Sequence, residues 1–378
     1  MEYKKLGDIA TYINGYAFKP EQRGSEGLPI IRIQDLTGNA YDLGYYNGDY
    51  PKKVELNDGD VLISWSASLG VYLWNRGKAL LNQHIFKVVF DKVEIDKFYF
   101  MYAVEYNLDK MSLKTHGATM KHITKKDFDN VVIPYPDLDY QKEVAYRLTS
   151  LKGIIEKYQK QLDLLDELVK ARFVEMFGDP VTNDMLWNTD VLKDICTKIG
   201  SGSTPRGGKE SYIDEGISLI RSMNVHNAYF EYKDLAHITL DQAEKLNNVV
   251  VEHDDLLFNI TGASVARCCV VPSDVLPARV NQHVCILRCR EKINSIFLQE
   301  LLVNENYQGK LLQIAKSGAT REAINKQQLE SLEIVLPPLE LQNQFASFVE
   351  EIDKSRLREL LAIKHIKLLL NDSWLLFY

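Results

Sequence analysis

The sequence YQKEVAYRLTSLKGIIEKYQKQLDLLDELVKARFVEMFG, residues 140–178, decides the fold of this chain. Its apolar residues recur alternately every four and every three positions, which is the spacing of a helix that buries one narrow stripe against another helix. The stripe consists of Val144, Leu148, Leu151, Ile155, Tyr158, Leu162, Leu165 and Val169. Because charged residues fill the other faces, the pattern predicts a long helix over residues 140–178 that packs against a second helix.

The partner helix is present later in the chain, because the sequence resembles itself at a shift of 201 residues. At this shift Ile133 falls on Ile334, and Gln141 falls on Gln342. The stripe recurs at Phe345, Val349, Ile352, Ile363, Ile366 and Leu370. The sequence therefore predicts a second long helix over residues 341–378.

Two positions of the second stripe differ from the first. Arg356 and Glu359 stand where the first copy has Ile155 and Tyr158. Apolar residues lie next to them at Leu357, Leu360 and Leu361. We therefore expect the apolar stripe to shift locally at this point of the second helix.

Residues 1–139 and 187–340 form two further copies of one pattern. Four motifs occur in the same order in both copies: LGDI at 6–9 and LKDI at 192–195, DVLISWSAS at 60–68 and DLLFNITGAS at 255–264, NQH at 82–84 and at 281–283, and GAT at 117–119 and at 318–320. The shift grows from 186 to 201 along the pair, which indicates insertions in loops, where homologous units usually differ. The sequence thus predicts an α+β fold of two mixed, β-rich globules, each followed by a long helix.

The first copy also carries signals for individual elements. Strand-like runs with turn signals lie at 29–36, 59–70, 82–90 and 131–136, and the second copy has a matching run at 218–224. Residues 97–111 are predicted to be helical. Thr124, with Asp127 three residues later, has the pattern of a helix N-cap.

The composition limits the class of protein. A chain of 378 residues with 46% hydrophobic and 26% charged residues is typical of a globular protein with two or three cores. No apolar run approaches the ~20 residues of a membrane span, and the first residues do not resemble a signal peptide, so we expect no membrane partner and a cytoplasmic location. The net charge of −7 argues against a general polyanion binder, although local patches can still contact DNA.

The five cysteines all lie in the second half of the chain. An odd number without a disulfide framework fits a reducing compartment. Cys285 and Cys289 are spaced like a metal-binding pair, but they lie in a strand-like run among apolar residues. We therefore favour buried thiols over a zinc site.

Several features together resemble the specificity subunit of a type I restriction–modification system. They are the Gly202-Ser-Thr-Pro-Arg206 loop, the doubled Asn-Gln-His, the doubled Gly-Ala-Thr with an isoleucine four residues later, the Pro…Gln entry into each long helix, and the helix exit ARFVEMFGDP at 171–180. No single motif decides, but the same order occurs twice and covers nearly the whole chain. The resemblance implies target recognition domains at 1–139 and 187–340, with the long helices packed antiparallel as a coiled-coil spacer.

The sequence contains no catalytic constellation. Pro337-Pro338 lacks the flanking residues of an amino-methyltransferase motif, and Gly208-Lys209 lacks the rest of a phosphate-binding loop. His84 and His283 have no acidic residue at a fixed spacing, so we favour a structural role for both. We therefore expect a chain that recognises rather than catalyses.

The resemblance implies how such a chain acts. Each globule would read one half of a bipartite, asymmetric site on double-stranded DNA, and the helices would set the spacer between the halves. Two modification subunits would dock on the chain, bring S-adenosylmethionine and methylate adenine, with restriction subunits outside them; the chain itself would bind no cofactor. The alternatives are a stand-alone DNA-binding regulator and a coiled-coil scaffold, and a nuclease or methyltransferase within this chain is the most remote.

DNA recognition requires polar side chains that reach base edges and cations that reach phosphates. Residues 110–126 contain five lysines, two histidines and no acid, and residues 310–326 are similarly basic, which suits either phosphate contact or a solvated loop. Hydroxyl-rich loops at 64–68 and 259–264 and a basic loop at 202–209 either read bases or only close turns. The candidate DNA-binding residues are Ser64, Trp65, Ser66, Lys114, His116, Lys121, Thr204, Arg206, Lys209, Arg221, Asn259, Thr261, Lys316 and Arg321.

Overall fold

The computed structural model describes residues 2–39, 42–114, 124–205, 207–316 and 322–377, and for 109–114 and 371–377 it describes the backbone alone. The chain divides into a first unit, Met1–Tyr158 with Leu361–Tyr378, and a second unit, Gln159–Leu360. This division cuts both long helices. The predicted domain boundaries at residues 139 and 340 therefore stay predictions.

The first copy of the pattern forms short strands and helices before the first long helix. Its strands are β1 (Tyr3–Lys5), β2 (Thr11–Asn14), β3 (Leu28–Ile31), β4 (Gly44–Tyr46), β5 (Glu55–Leu56), β6 (Val61–Ser64), β7 (Gly70–Leu73), β8 (Ala79–Leu81), β9 (Ile85–Val89) and β10 (Val132–Pro134). Its helices are α1 (Leu6–Ile9), α2 (Ile33–Leu36), α3 (Lys97–Lys114), α4 (Lys125–Asp129) and the long α5 (Leu138–Phe177).

The second copy repeats this order. Its strands are β11 (Thr189–Val191), β12 (Cys196–Ser201), β13 (Ile217–Ile220), β14 (Val225–His226), β15 (Tyr229–Phe230), β16 (Ala236–Ile238), β17 (Val250–Val251), β18 (Leu256–Asn259), β19 (Cys268–Val270), β20 (Ala278–Val280), β21 (Val284–Cys289) and β22 (Glu333–Val335). Its helices are α6 (Leu192–Ile195), α7 (Leu240–Glu244), α8 (Ser295–Val303), α9 (Glu305–Lys316), α10 (Lys326–Glu330) and the long α11 (Leu339–Phe377).

The two copies share one sheet topology. The first has the strand orders β2-β9-β6-β7 and β4-β3-β8-β5 with the pair β1-β10, and the second has β12-β21-β18-β19 and β16-β13-β20-β17 with the pair β11-β22. The pairs β3–β8 and β13–β20 are parallel at the same place in each order. Within the described residues, the added hairpin of β14 and β15 occurs in the second copy alone. The α+β fold and the internal duplication are both confirmed.

Strands β6 and β18 each contribute to two cores. In β18, Leu256 and Phe258 join one hydrophobic cluster, whereas Leu257 joins another. In β6, Ile63 and Leu62 divide in the same way. Because successive side chains of a strand point to opposite faces, a continuous apolar run at this position fills the space on both sides of the sheet.

An ion pair is duplicated with the fold. In the second unit the guanidinium of Arg288 donates from Nε to Asp255 Oδ1 at 2.8 Å and from Nη2 to Asp255 Oδ2 at 2.9 Å. In the first unit Lys87 Nζ lies 2.7 Å from Asp60 Oδ2. Both cations also donate to a backbone carbonyl, of Val250 and Glu55 respectively. The ion pair and the carbonyl contact thus connect β21 with β17 in the second copy and β9 with β5 in the first.

The predicted strand at 29–36 is wrong in its second half. The strand ends at Ile31, and the backbone N–H of Arg32 donates to Asp35 Oδ2 at 2.8 Å, which starts α2. The matching run at 218–224 ends in the same way, because the N–H of Arg221 donates to Asn224 Oδ1 at 3.1 Å and starts a short 3₁₀ turn. A side-chain oxygen three residues ahead therefore stops both strands.

Other local predictions are confirmed. Helix α3 covers the predicted 97–111 and continues to Lys114. Thr124 is the N-cap of α4, since its side chain accepts a hydrogen bond from the Asp127 N–H. Strands β6, β9 and β10 lie within the runs predicted at 59–70, 82–90 and 131–136.

The long helices α5 and α11 confirm the two predicted rods. In the second unit the ring of Phe345 lies 5.4 Å from that of Phe177 and 5.5 Å from that of Phe173. Further along α11, Arg356 Nη2 lies 2.6 Å from Asp166 Oδ1. Residue numbers rise along α11 while those of the contacting residues on α5 fall, so the two helices pack antiparallel.

The expected local shift of the second stripe is wrong. Arg356 and Glu359 stay in the half-buried stripe, whereas Leu357, Leu360 and Leu361 are 57%, 53% and 55% exposed. The ion pairs of Arg356 with Asp166 and with Asp353 accommodate its charge at a stripe position. The heptad register therefore continues without interruption.

Candidate nucleic-acid interface

A cleft of about 670 Å³ opens at one end of the sheet formed by β18 and its neighbours in the second unit. The loop after β18, the turn before β21 and the start of the added hairpin form its walls. The polar residues that line it include Ser222, His226, Thr261, Ser264, Arg267 and His283. Hydroxyls, imidazoles and a guanidinium in one concave surface are groups that hydrogen-bond to base edges.

Three motifs that are distant in sequence meet at this cleft. Thr204 Oγ1 donates to Gln282 Oε1 at 2.5 Å, and Gln282 Nε2 lies 3.1 Å from His283 Nε2. His283 Nδ1 in turn lies 2.6 Å from Thr261 Oγ1. The chain of contacts connects the Gly-Ser-Thr-Pro loop, the Asn-Gln-His turn and the loop after β18. It orders the His283 ring, in line with the structural role that the sequence favoured, although this ring also faces the cleft.

The backbone of the Asn-Gln-His turn packs closely against a glycine in each copy. A Cβ atom on Gly202 would lie 1.8 Å from the carbonyl oxygen of Val280, and one on Gly15 would lie 2.0 Å from that of Asn82. Gly202 N–H also donates to the Asn281 carbonyl at 3.1 Å. The start of the Gly-Ser-Thr-Pro loop is therefore fixed against the turn, and no other residue type fits there.

Comparison with known proteins identifies the family. The family model of the type I restriction modification DNA specificity domain matches residues 1–165 and again residues 185–365. The chain belongs to this family. It is a DNA specificity subunit of a type I restriction–modification system, and the alternatives of a stand-alone regulator and a scaffold are not favoured. The family supplies specificity rather than catalysis.

Individual relatives agree with this assignment. The EcoBI specificity subunit of Escherichia coli is 24% identical over 379 residues, which cover 92% of this chain and 78% of that protein. The MjaVIII specificity subunit of Methanocaldococcus jannaschii is 22% identical over 369 residues, covering 93% and 86%. The crystal structure of an S subunit from M. genitalium has the same fold, with a TM-score of 0.58 at 12% identity and coverage of 98% of this chain and 94% of that one.

Two of the predicted DNA contacts of this specificity subunit are buried. The side chains of Ser64 and Asn259 are both fully buried. Ser64 Oγ donates to the Ser68 carbonyl at 2.5 Å, and Asn259 Nδ2 donates to the Ser222 and Val225 carbonyls at 2.9 and 3.2 Å. These hydrogen bonds hold the loops in place, so both residues are weaker candidates for DNA contact than the exposed residues of the cleft, and their contact with DNA stays a prediction.

Arg221 has a structural partner as well. Its Nη2 donates to the Asp234 carbonyl, and its guanidinium lies 5.4 Å from the ring centroid of Tyr212. The corresponding Arg32 of the first copy donates to the Asp42 carbonyl in the same way. Since both copies use this arginine to fix the following loop, Arg221 is a weaker candidate for base contact than the cleft residues.

Trp65 and Ser66 occupy the place in the first copy that Ile260 and Thr261 occupy in the second. Both side chains are half-buried, and the Trp65 ring stacks on Phe86 at a centroid distance of 5.6 Å. The Trp65 ring therefore packs on the core beside the loop, and Ser66 lies where Thr261 lines the cleft in the second copy.

The predicted cations fall into three groups. Lys209 and Lys316 are exposed at the surface of the second unit. Lys114 ends α3, and its side chain is not described. The remaining candidates, His116, Lys121, Arg206 and Arg321, lie outside the described residues. Their contact with DNA stays a prediction.

Arg267, His226 and Tyr229 are cleft or rim residues that the sequence did not single out. Arg267 Nη1 lies 3.4 Å from His226 Nδ1, and the His226 ring stacks on Tyr229 at 4.6 Å with an interplanar angle of 14°. The available signal was the shift between the copies, which grows from 189 at Arg32 to 195 at Asp60. This growth marks the additional residues that form the hairpin.

The cysteines of the second unit are mostly buried, and burial raises the pKa of Cys285 to about 12. Among the described residues no group of three or more His, Cys, Asp or Glu side chains is arranged to hold a metal ion. Within the same part of the chain no helix is long and apolar enough to cross a membrane.

Proposed function

We propose that this specificity subunit reads a bipartite, asymmetric site on double-stranded DNA, one half with each β-rich globule. The observation that carries the proposal is that one sheet topology occurs twice, with different side chains at the recognition loops. The loop after β6 has Trp65 and Ser66 where the loop after β18 has Ile260 and Thr261. Two globules with the same sheet topology but different loop side chains suit two half-sites of different sequence.

The long helices serve as the spacer element in this proposal. The helices are 40 and 39 residues long, which suits a spacer of about one helical turn of DNA between the half-sites. Substitutions in the globules should therefore change which bases are recognised. Insertions of whole turns in the helices should change only the length of the spacer between the half-sites.

Two modification subunits dock on the chain and bring S-adenosylmethionine, and restriction subunits join outside them. The solvent-exposed faces of the helices support docking, because they carry leucines that are between 47% and 58% exposed in the second unit. These are Leu164, Leu168, Leu357 and Leu360. Single exposed leucines are common, but several on one helix pair are typical of a protein interface. The chain thus contributes recognition to a cytoplasmic methyltransferase and endonuclease assembly, while the adenine chemistry belongs to its partners.

The net charge of −7 fits this division of labour. Phosphate neutralisation supplies most non-specific affinity for DNA, and an acidic chain supplies little of it alone. Partner subunits that enclose the duplex would neutralise the phosphates, and the cleft would provide the base contacts.

The test is genome-wide mapping of methylated adenine in cells that express this chain with a candidate modification subunit. Cells with the same modification subunit but without this chain are the control. We expect a split motif that depends on this chain. Absence of chain-dependent methylation, with both proteins soluble and associated, would contradict the proposal.

A further inference from the structure

We propose that Arg267 is a specificity-determining residue of the second globule and contacts a guanine in the half-site that this globule reads. The inference rests on the proposed function and assigns one residue of the second globule to one base of its half-site. It follows from the surroundings of Arg267, from its counterpart in the first copy, and from the mixed charge of the cleft.

The guanidinium of Arg267 has no carboxylate partner within the described part of the chain. Its hydrogen bond there is the 3.4 Å contact from Nη1 to His226 Nδ1. By contrast, the guanidiniums of Arg288 and Arg356 are held by carboxylates, and that of Arg279 donates to backbone and side-chain oxygens. A half-buried arginine in a cleft with donors left over is available to a ligand that accepts hydrogen bonds.

The backbone beneath Arg267 is fixed by the buried Asn259. The Asn259 N–H donates to the Arg267 carbonyl at 2.8 Å, and its side-chain amide donates to Ser222 and Val225 at the base of the added hairpin. The hairpin is held beside Arg267 as well, because the Ala228 N–H donates to the Cys268 carbonyl at 2.9 Å. Base recognition needs this kind of rigid support, since a misplaced donor loses its hydrogen bond.

His226 is oriented by the same contact. Arginine only donates hydrogen bonds, so Nδ1 of His226 accepts and its proton sits on Nε2. The His226 ring also stacks on Tyr229, which is 54% exposed. The pair therefore presents one guanidinium and one imidazole N–H donor on a fixed platform.

The first copy lacks this device. Strand register pairs Leu257 with Cys269 and Leu62 with Tyr72, so the residue opposite Asn259 is Arg267 and the residue opposite Ser64 is Gly70. A glycine has no side chain with which to read a base. The two globules therefore differ in a base-reading group at equivalent positions, as an asymmetric site requires.

The charge of the cleft favours a base over a phosphate as the ligand. Glu322 lines the same cleft, and a carboxylate beside a phosphate group is unfavourable. The major-groove edge of guanine, in contrast, presents N7 and O6, two acceptors that match the planar fork of arginine. Guanine is the base that this arrangement fits.

The experiment maps methylated adenine for the full chain, co-expressed with its modification subunit, carrying Arg267→Ala or Arg267→Lys. We expect both variants to lose discrimination at one guanine by about 5- to 150-fold, in the half that also changes when residues 187–340 are exchanged. Lys245→Ala, which removes an exposed cation outside the cleft, should leave the motif unchanged.

The lysine variant separates base reading from phosphate contact and from misfolding, because it keeps the charge and most of the side-chain volume. A uniform loss of methylation at all sites without a change of motif, or full activity of Arg267→Lys with the same guanine, would overturn the inference while leaving the proposed function intact. A wild-type half-site without guanine would also overturn it. If the wild-type chain directs no motif at all, the proposed function fails and this inference fails with it.

Discussion

The duplicated ion pair gives a prediction that compares the two globules within one chain. We consider Arg288→Met in the second unit, which keeps an unbranched apolar stem but removes the guanidinium and its charge. Asp255 is fully buried, and it would lose both hydrogen bonds from the guanidinium. It would keep the bond at 2.8 Å from the Glu252 N–H. Removing one partner of a buried ion pair costs ~3–5 kcal/mol, because the remaining charge has no compensation.

The matched change in the first unit is Lys87→Met. Here the Asp60 side chain is 22% exposed, compared with 0% for Asp255. Water can therefore replace the lost ammonium at Asp60, and we expect a cost of ~1–2 kcal/mol. The difference of ~2 kcal/mol corresponds to about a 30-fold difference in the local opening equilibrium.

Native-state hydrogen exchange with mass spectrometry measures the cost in each variant, with the unaltered globule of that variant as internal reference. The amides of β18 and β21 report on the second unit, and those of β6 and β9 report on the first. Adding Asp255→Asn to Arg288→Met should restore part of the protection, because it removes the uncompensated charge. Equal effects of the two single variants, or a cost below ~1 kcal/mol for Arg288→Met, would refute the argument from burial.

Three further predictions follow from the second unit and the helices. Burial raises the pKa of Glu300 to about 7, so the folded chain binds a proton that the unfolded chain releases from about pH 4.5; this stabilisation is lost as the pH rises through 7. Glu300→Gln should therefore remove this contribution to the fall in stability between pH 5 and 8. In denaturant titrations it should stabilise the chain at pH 8 by ~1–2 kcal/mol, an effect limited by the partial exposure of Glu300. An unchanged pH profile would contradict this. Phe345→Ala, which empties a fully buried contact with two phenylalanines of α5, should cost ~3–5 kcal/mol in the same titrations, and a cost below ~1 kcal/mol would show that the helix pair does not depend on it. The double variant Leu164→Asp and Leu168→Asp replaces two exposed leucines and should change the free energy of unfolding by less than ~1 kcal/mol. It should weaken capture of the modification subunit about 10-fold or more, and undiminished capture would exclude this surface as the docking site.

The sequence predicts the long helices and the duplication well for a physical reason. A heptad stripe is a local pattern that repeats over many turns, and the duplicated motifs occur in the same order in two copies. The continuous register at Arg356 shows the limit of this reasoning. The local pattern favours moving the stripe to Leu357, but Asp166 on the other helix holds the arginine in place.

The site is predicted less well, because its contacts join residues that are distant in sequence. Asn259 resembles a loop residue open to DNA, yet its amide bonds to carbonyls 37 and 34 residues earlier and is fully buried. Arg267 is an unremarkable residue in the sequence until the structure places it beside His226, which is 41 residues away. By contrast Thr261 and Thr204 both lie in the network around His283, and their contact with DNA stays a prediction.

The central claim is that each globule determines one half of the recognised site. Exchange of residues 187–340 for the corresponding part of another family member, followed by mapping of methylated adenine, tests this most directly. The account predicts a new sequence in one half, with the other half and the spacer unchanged. A motif that changes in both halves, or in neither while methylation continues, would contradict it.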